Sequence, residues 1–180
     1  MAISAKYIGD LSGTTQPTLL TVPCNNVALA VGDFVTLFNS AQAGYLGICV
    51  TVKSILGVIV GFVNPDGTPL AAATGQVNDV SETASSDGSI NALVSVSPTA
   101  VYSVVVATAP TAGTHYIGGG GDITTVTSGA QTMEVVAAGT WSGKTLLVVP
   151  FNSVTGIDQN DSTRLTCIIK ESELFGIIQT

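Results

Sequence analysis

Val31–Val63 reads VGDFVTLFNSAQAGYLGICVTVKSILGVIVGFV, and the period of its apolar residues decides the fold class. Its last 19 residues, Tyr45–Val63, are long and apolar enough to raise a membrane-spanning helix. Three features favour a sheet. Ile48, Val50 and Val52 alternate with Cys49, Thr51 and Lys53, the period of two of a half-buried strand. Lys53 would lie deep in the bilayer, at a cost of roughly 2.5–3.5 kcal/mol. Val, Ile and Thr dominate the run, and β-branched side chains suit a pleated surface. Gly57 and Gly61 form the small-residue spacing of associating membrane helices, the one point for the bilayer. From Ile55 to Val63 both faces are apolar: Leu56, Val58, Val60 and Phe62 on one, Ile55, Ile59 and Val63 on the other. A strand of that kind is expected to be covered on both sides.

Outward from this stretch, Gly and Pro punctuate the chain. Twenty Gly and seven Pro in 180 residues leave few windows in which a helix could complete three turns. Strands are expected at Phe34–Phe38, Gly47–Lys53, Ile55–Val63, Ile90–Val96, Val101–Ala107, Ile123–Thr127, Met133–Ala137, Leu146–Phe151 and Leu165–Lys170. Asn64-Pro65-Asp66-Gly67 supplies turn chemistry. Ile157–Phe175 has neither Gly nor Pro and could be helical by pattern, but its β-branched residues favour a strand. The prediction is an all-β fold, a β-sandwich or small β-barrel of short antiparallel strands. Residues 1–26, with Pro17 and Pro23 bracketing TLLTV, read as an extended N-terminal arm or edge strand, because proline cannot donate to a ladder. Residues 27–180 form the β domain, which the polar loop 75–89 offers to subdivide.

Charged residues make up 9% of the chain, against about 25% in ordinary globular proteins. So neutral a surface suits permanent assembly, since few charges remain to resist association. The net charge is −7 and the five cations are scattered, so direct nucleic-acid binding is not expected. Three cysteines, Cys24, Cys49 and Cys167, are too few and too odd in number for a disulfide framework, and Cys49 and Cys167, in apolar strand-like runs, read as small hydrophobes. The N-terminal MAISAKYIGD lacks a secretory signal, which points to a reducing cytosol.

Motifs that carry chemistry are few. His115 is the sole histidine, which rules out a multi-histidine metal site and leaves a hydrolase assembled from His115 and a distant carboxylate without sequence support. Gly118–Gly121 lacks the Gly-Lys-Ser/Thr ending of a phosphate loop and reads as a glycine hairpin or mobile loop. Asp158 and Asp161 lack calcium-loop spacing and read as a solvated turn. Trp141, with Tyr45, Tyr102 and Tyr116, offers either a sugar-stacking platform or a hydrophobic plug, the plug being favoured. No catalytic, cofactor or metal residues are assigned, and the chain is expected not to be an enzyme. A carbohydrate- or receptor-binding domain of a head or tail fibre is the main alternative.

Val31-Gly32-Asp33-Phe34-Val35, followed by Ile55-Leu56-Gly57-Val58-Ile59-Val60-Gly61-Phe62, resembles the capsid decoration, or cement, proteins of tailed bacteriophages. The order of parts is similar: an N-terminal arm, a Gly-Asp strand start, an ILGVIVGF strand, a polar loop and a β-rich second half. The resemblance implies a virion structural protein without an active site, made in the host bacterial cytoplasm and bound to the capsid exterior. Its implied partner is the major capsid protein, its implied state a homo-oligomer, most simply a trimer, and no membrane is involved. Interface candidates are Pro17, Leu19, Leu20 and Val22 in the arm and Ile55, Val58, Val60 and Phe62 in the long strand.

Overall fold

A computed structural model describes residues 3–13, 16–24, 28–37, 44–49, 55–70, 90–124, 127–134 and 142–170. Ten strands are present: β1 (Ala5–Asp10), β2 (Leu19–Pro23), β3 (Phe34–Leu37), β4 (Leu46–Ile48), β5 (Gly57–Val63), β6 (Asn91–Ser95), β7 (Ala100–Val105), β8 (Gly120–Gly121), β9 (Leu146–Val148) and β10 (Arg164–Ile169). They form two antiparallel five-stranded sheets, ordered β1-β7-β10-β9-β8 and β2-β6-β5-β3-β4. The fold is all-β. Among the described residues there is no helix, and none long and apolar enough to cross a membrane.

The sheets pack face to face as a sandwich. Phe34 and Val58 of the second sheet meet Ala100, Tyr102, Val104, Leu165, Cys167 and Ile169 of the first in one continuous core. Tyr102 is central to it. Its ring packs edge-on against Phe34 and Tyr7, and its hydroxyl shares a 2.7 Å hydrogen bond with Ser95 Oγ across the sheet interface. That bond satisfies a polar atom that would be costly to bury alone.

A second apolar cluster covers the opposite face of the second sheet. It contains Val22, Val35, Leu46, Ile59, Phe62, Ala92 and Val94, closed by Leu29, Leu56 and Ile90. Strand β5 is therefore buried on both faces, as its doubly apolar sequence required. Its register differs from strict alternation. A bulge between Ile59 and Gly61 inserts Val60, so that Ile59 opposes Val94 and Phe62 opposes Ala92 on the same face. Leu56, Ile59 and Phe62 share the outer cluster, while Ile55 and Val58 enter the inter-sheet core. The expected pairing of Val58 with Phe62 on one face is corrected by this single extra residue.

β1 and β2 each form one edge of a sheet. β1 pairs with β7, and β2 pairs with β6. β6 and β7 are joined through Ser97-Pro98-Thr99, so the chain crosses between sheets here, and the β1-to-β2 link crosses alongside it. Asp10 holds the two crossings together. Its carboxylate accepts Ser97 Oγ at 2.9 Å, the Ser12 amide at 2.8 Å and the Ser12 hydroxyl at 2.5 Å. Burial alone would raise this carboxyl, but hydrogen bonds from Ser12, Thr99 and Ser97 outweigh it and hold the pKa at about 2.

Asp33 explains the Gly-Asp strand start. The turn Ala30–Asp33 closes through Asp33 N–H to Ala30 O, and Asp33 is fully buried, accepting the amides of Ala30 at 2.9 Å and Gly129 at 2.8 Å. Gly32, at φ +91°, donates its amide to Ile59 O and accepts the amide of Ala5. A Cβ there would strike Ile3 Cγ2 and come within 2.6 Å of Ala5 O. This glycine joins β1, β3 and β5 at one point.

The second half differs from expectation at Gly118–Gly121 and is described only in part around residues 123–137. Ile123 and Met133 pair with each other, and Met133 with Val106, as isolated bridges, and the expected strands Ile123–Thr127 and Met133–Ala137 lie partly outside the described residues. Gln131, two residues before Met133, is buried and its side-chain amide serves backbone groups of Phe34 and Cys49. Its Oε1 accepts Phe34 N–H at 2.6 Å, and its Nε2 donates to Phe34 O at 3.2 Å and Cys49 O at 3.1 Å. Gly120 and Gly121 are the short strand β8, not a hairpin tip. Their lack of side chains lets β9 and residue 134 approach, since a Cβ on Gly120 would lie 2.7 Å from Leu146 O and one on Gly121 would strike Glu134 O.

Candidate functional site

The outer face of the first sheet carries the main polar cluster. Ser103 donates its hydroxyl to the buried Asp158, which also accepts Asn152 Nδ2 at 2.8 Å and the Asn160 amide at 3.0 Å. Thr166 Oγ1 donates to Val149 O at 2.6 Å, fixing the same 149–163 loop. Asp161 accepts Thr163 and pairs with Arg164 at 3.0 Å. Arg164 is fully engaged, since its other nitrogens donate to Ser103 O at 3.0 Å and Ile3 O at 2.5 Å. A cleft of about 420 Å³ opens here between Ile3, Lys6, Ile8 and this loop. Every carboxylate in it already has a protein donor. The cluster fastens a loop, and the solvated-turn reading of Asp158 and Asp161 gives way to a partly buried structural one.

The remaining polar motifs do not converge. His115 is exposed in the loop after β7, beside Tyr116, whose hydroxyl accepts the Thr111 amide at 2.8 Å. Among the described residues no three His, Cys, Asp or Glu side chains gather at one point. Tyr102 lies in the core, so it belongs to no exposed aromatic platform; Trp141 lies outside the described residues. All three cysteines are buried thiols outside any disulfide, Cys167 donating to Met133 Sδ at 3.8 Å, and burial pushes the Cys24 thiol up to about 11.

The interface candidates separate into two sets. Ile55, Val58, Val22 and Phe62 are buried within the chain's own cores, and they are committed to folding. Leu19 is 46% exposed and Leu20 42%, with Pro17 and Val60 half-buried. Leu19 and Leu20 sit side by side on β2, and among the described residues no strand pairs with its outer side. This edge is the apolar, partner-free element that the candidates bring together.

Hydrogen-bond parity defines what the edge presents. Val96 N–H goes to Thr18 O and Cys24 N–H to Ile90 O, so even-numbered residues face β6. In an antiparallel ladder the alternate residues then point their peptide groups outward: positions 17, 19, 21 and 23. Two of these four are Pro17 and Pro23, which have no N–H. The open donors of β2 are those of Leu19 and Thr21. The six-residue proline spacing was the sequence signal for this, and it needed the register of β2 on β6 to be interpreted.

No family model, no curated protein and no solved structure matches this chain.

Proposed function

We propose that this chain is a virion structural protein that binds the outer surface of a phage capsid and stabilises the lattice by bridging capsomers. The observation that carries this reading is the β2 edge: an uncharged strand with adjacent exposed leucines, held on a two-sheet sandwich whose buried carboxylates Asp10, Asp33, Asp122 and Asp158 are hydrogen-bonded within the fold. Such an edge binds by adding a strand and burying apolar surface, at about 25 cal/mol per Å². Repetition over a lattice turns a weak contact into a strong sum. The major capsid protein is the partner, and the protein works as a homo-oligomer. The low charge of the chain supports this, because few like charges oppose close packing of copies.

The test is the particle. The protein is expected to co-purify with heads in large, regular copy number and to appear on the outer surface in a cryo-EM reconstruction. Absence from purified virions, or a few copies per particle, overturns the proposal.

A further inference from the structure

We infer that the β2 edge pairs with the β2 edge of a second copy about a two-fold axis at Leu20, joining the two five-stranded sheets into one continuous sheet. The inference rests on the same edge as the proposed function: in the free protein a second copy occupies it, and the capsid protein displaces that copy on binding, so the pairing is tested without capsids.

Three observations carry it. The first is donor complementarity. In an antiparallel pair centred on Leu20, residue 19 lies opposite residue 21 of the second copy, so Leu19 and Thr21 exchange both of their outward hydrogen bonds with their counterparts. The same register sets Pro17 opposite Pro23, where neither side has an N–H to leave unpaired. Shifting the register by two residues would oppose an open amide to a proline. The prolines therefore both limit the edge to a short opening and select the one alignment that satisfies it.

The second observation is electrostatic. The chain carries a net charge of −7, yet Leu11 to Gly32 contains no Asp, Glu, Lys or Arg. Two acidic molecules meet with least repulsion where each is uncharged, and this strand lies at the middle of that stretch. The third is apolar matching. Leu20 is 42% exposed on the face that carries Val22 and Val94, and the two-fold axis places it directly opposite its own copy. Each Leu20 then covers the other, and Thr18 lies opposite Val22 on the same face. The decoration-protein resemblance implies a trimer, most simply at threefold positions of a capsid, whereas the two-fold pair is the state inferred for the free protein.

Sedimentation of the purified chain over a concentration series is expected to show a reversible monomer–dimer equilibrium. Thr21→Pro removes an outward donor without touching a bond to β6, and it should raise the dimer dissociation constant at least tenfold while the monomer keeps its melting temperature. Register is read by oxidation. Leu20 and its copy form a non-hydrogen-bonded pair with Cβ atoms about 4.5–5.5 Å apart, close to disulfide reach. Leu20→Cys should cross-link to a dimer on non-reducing gels, whereas Leu19→Cys should not, because it faces residue 21 of the other copy. The three native cysteines are buried and give no background. A monomer at all concentrations, a trimer, a dimer indifferent to Thr21→Pro, or equal cross-linking at 19 and 20 overturns the inference. An edge occupied by another part of the same chain gives the first of these outcomes. Failure of capsid binding with an intact dimer would reject the proposed function alone.

Discussion

The two edge strands near the N-terminus solve the same problem differently. β1 is closed by other parts of the chain: Ala5 N–H donates to Gly32 O at 3.0 Å, a bulge interrupts the strand between Tyr7 and Gly9, Arg164 donates to Ile3 O at 2.5 Å, and Lys6 and Asp10 add charge. β2 has no charge and no cover among the described residues, only prolines at its two ends. Charge and bulging forbid a partner strand, whereas bracketing prolines ration one. The contrast teaches that exposure at β2 is bounded to a definite length, which is how a binding edge differs from an unprotected one.

The largest expected effect comes from opening the β1 closure. Gly32→Ala forces a Cβ at φ +91° into Ile3 and to 2.6 Å from Ala5 O, and should lower the unfolding free energy by roughly 3 kcal/mol in urea titration. An unchanged midpoint would mean that β1 is not held through this point. Next comes Val22→Pro on β2, whose N–H faces β6 and whose side chain is buried; it should also cost roughly 3 kcal/mol.

A smaller and pH-dependent effect is expected where the two edges are joined. Asp10 has a folded pKa of about 2, below its unfolded value of 3.8. Its ionised form is therefore favoured by the fold, and this contribution is present above pH 4 and lost as pH falls toward 2. Asp122 and Asp158 shift the same way, with burial opposed and outweighed by hydrogen bonds, so stability should decline over that window. Asp10→Asn should cost about 1–2 kcal/mol at neutral pH and flatten part of the acid decline in thermal melts. A decline as steep as that of the unaltered protein would remove Asp10 from its cause. The smallest effect is that of Thr21→Pro, expected to change stability by less than about 1 kcal/mol because its N–H faces outward. A loss as large as that of Val22→Pro would reverse the assigned parity and with it the contrast between the edges.

Much of this was legible in the residues, unevenly. The all-β class, the doubly buried ILGVIVGF strand and the edge character of the proline-flanked N-terminal segment follow from periodicity and from proline's missing donor. Faces within that strand did not follow, because a bulge at Val60 has no local marker; it reflects how β5 fits β6. Gln131 was also silent. A lone glutamine in a Ser-Gly-Ala turn region gives no sign that its amide will serve the backbone of Phe34, 97 positions away. The interface candidates divided for a similar reason: apolar character alone does not tell a core leucine from a surface one.

What the sequence by itself determined was composition-driven and short-ranged: strands rather than helices, a sparsely charged surface, and donors deleted at positions 17 and 23. These are properties of single residues and their near neighbours, fixed by sterics and by the chemistry of each side chain. Only the tertiary structure decided which side of β2 lost its donors, which apolar residues were consumed by the two cores, and which acids were fastened inside. Those depend on pairing between distant segments, where burial and hydrogen-bond register are settled jointly and no local pattern can anticipate the partner.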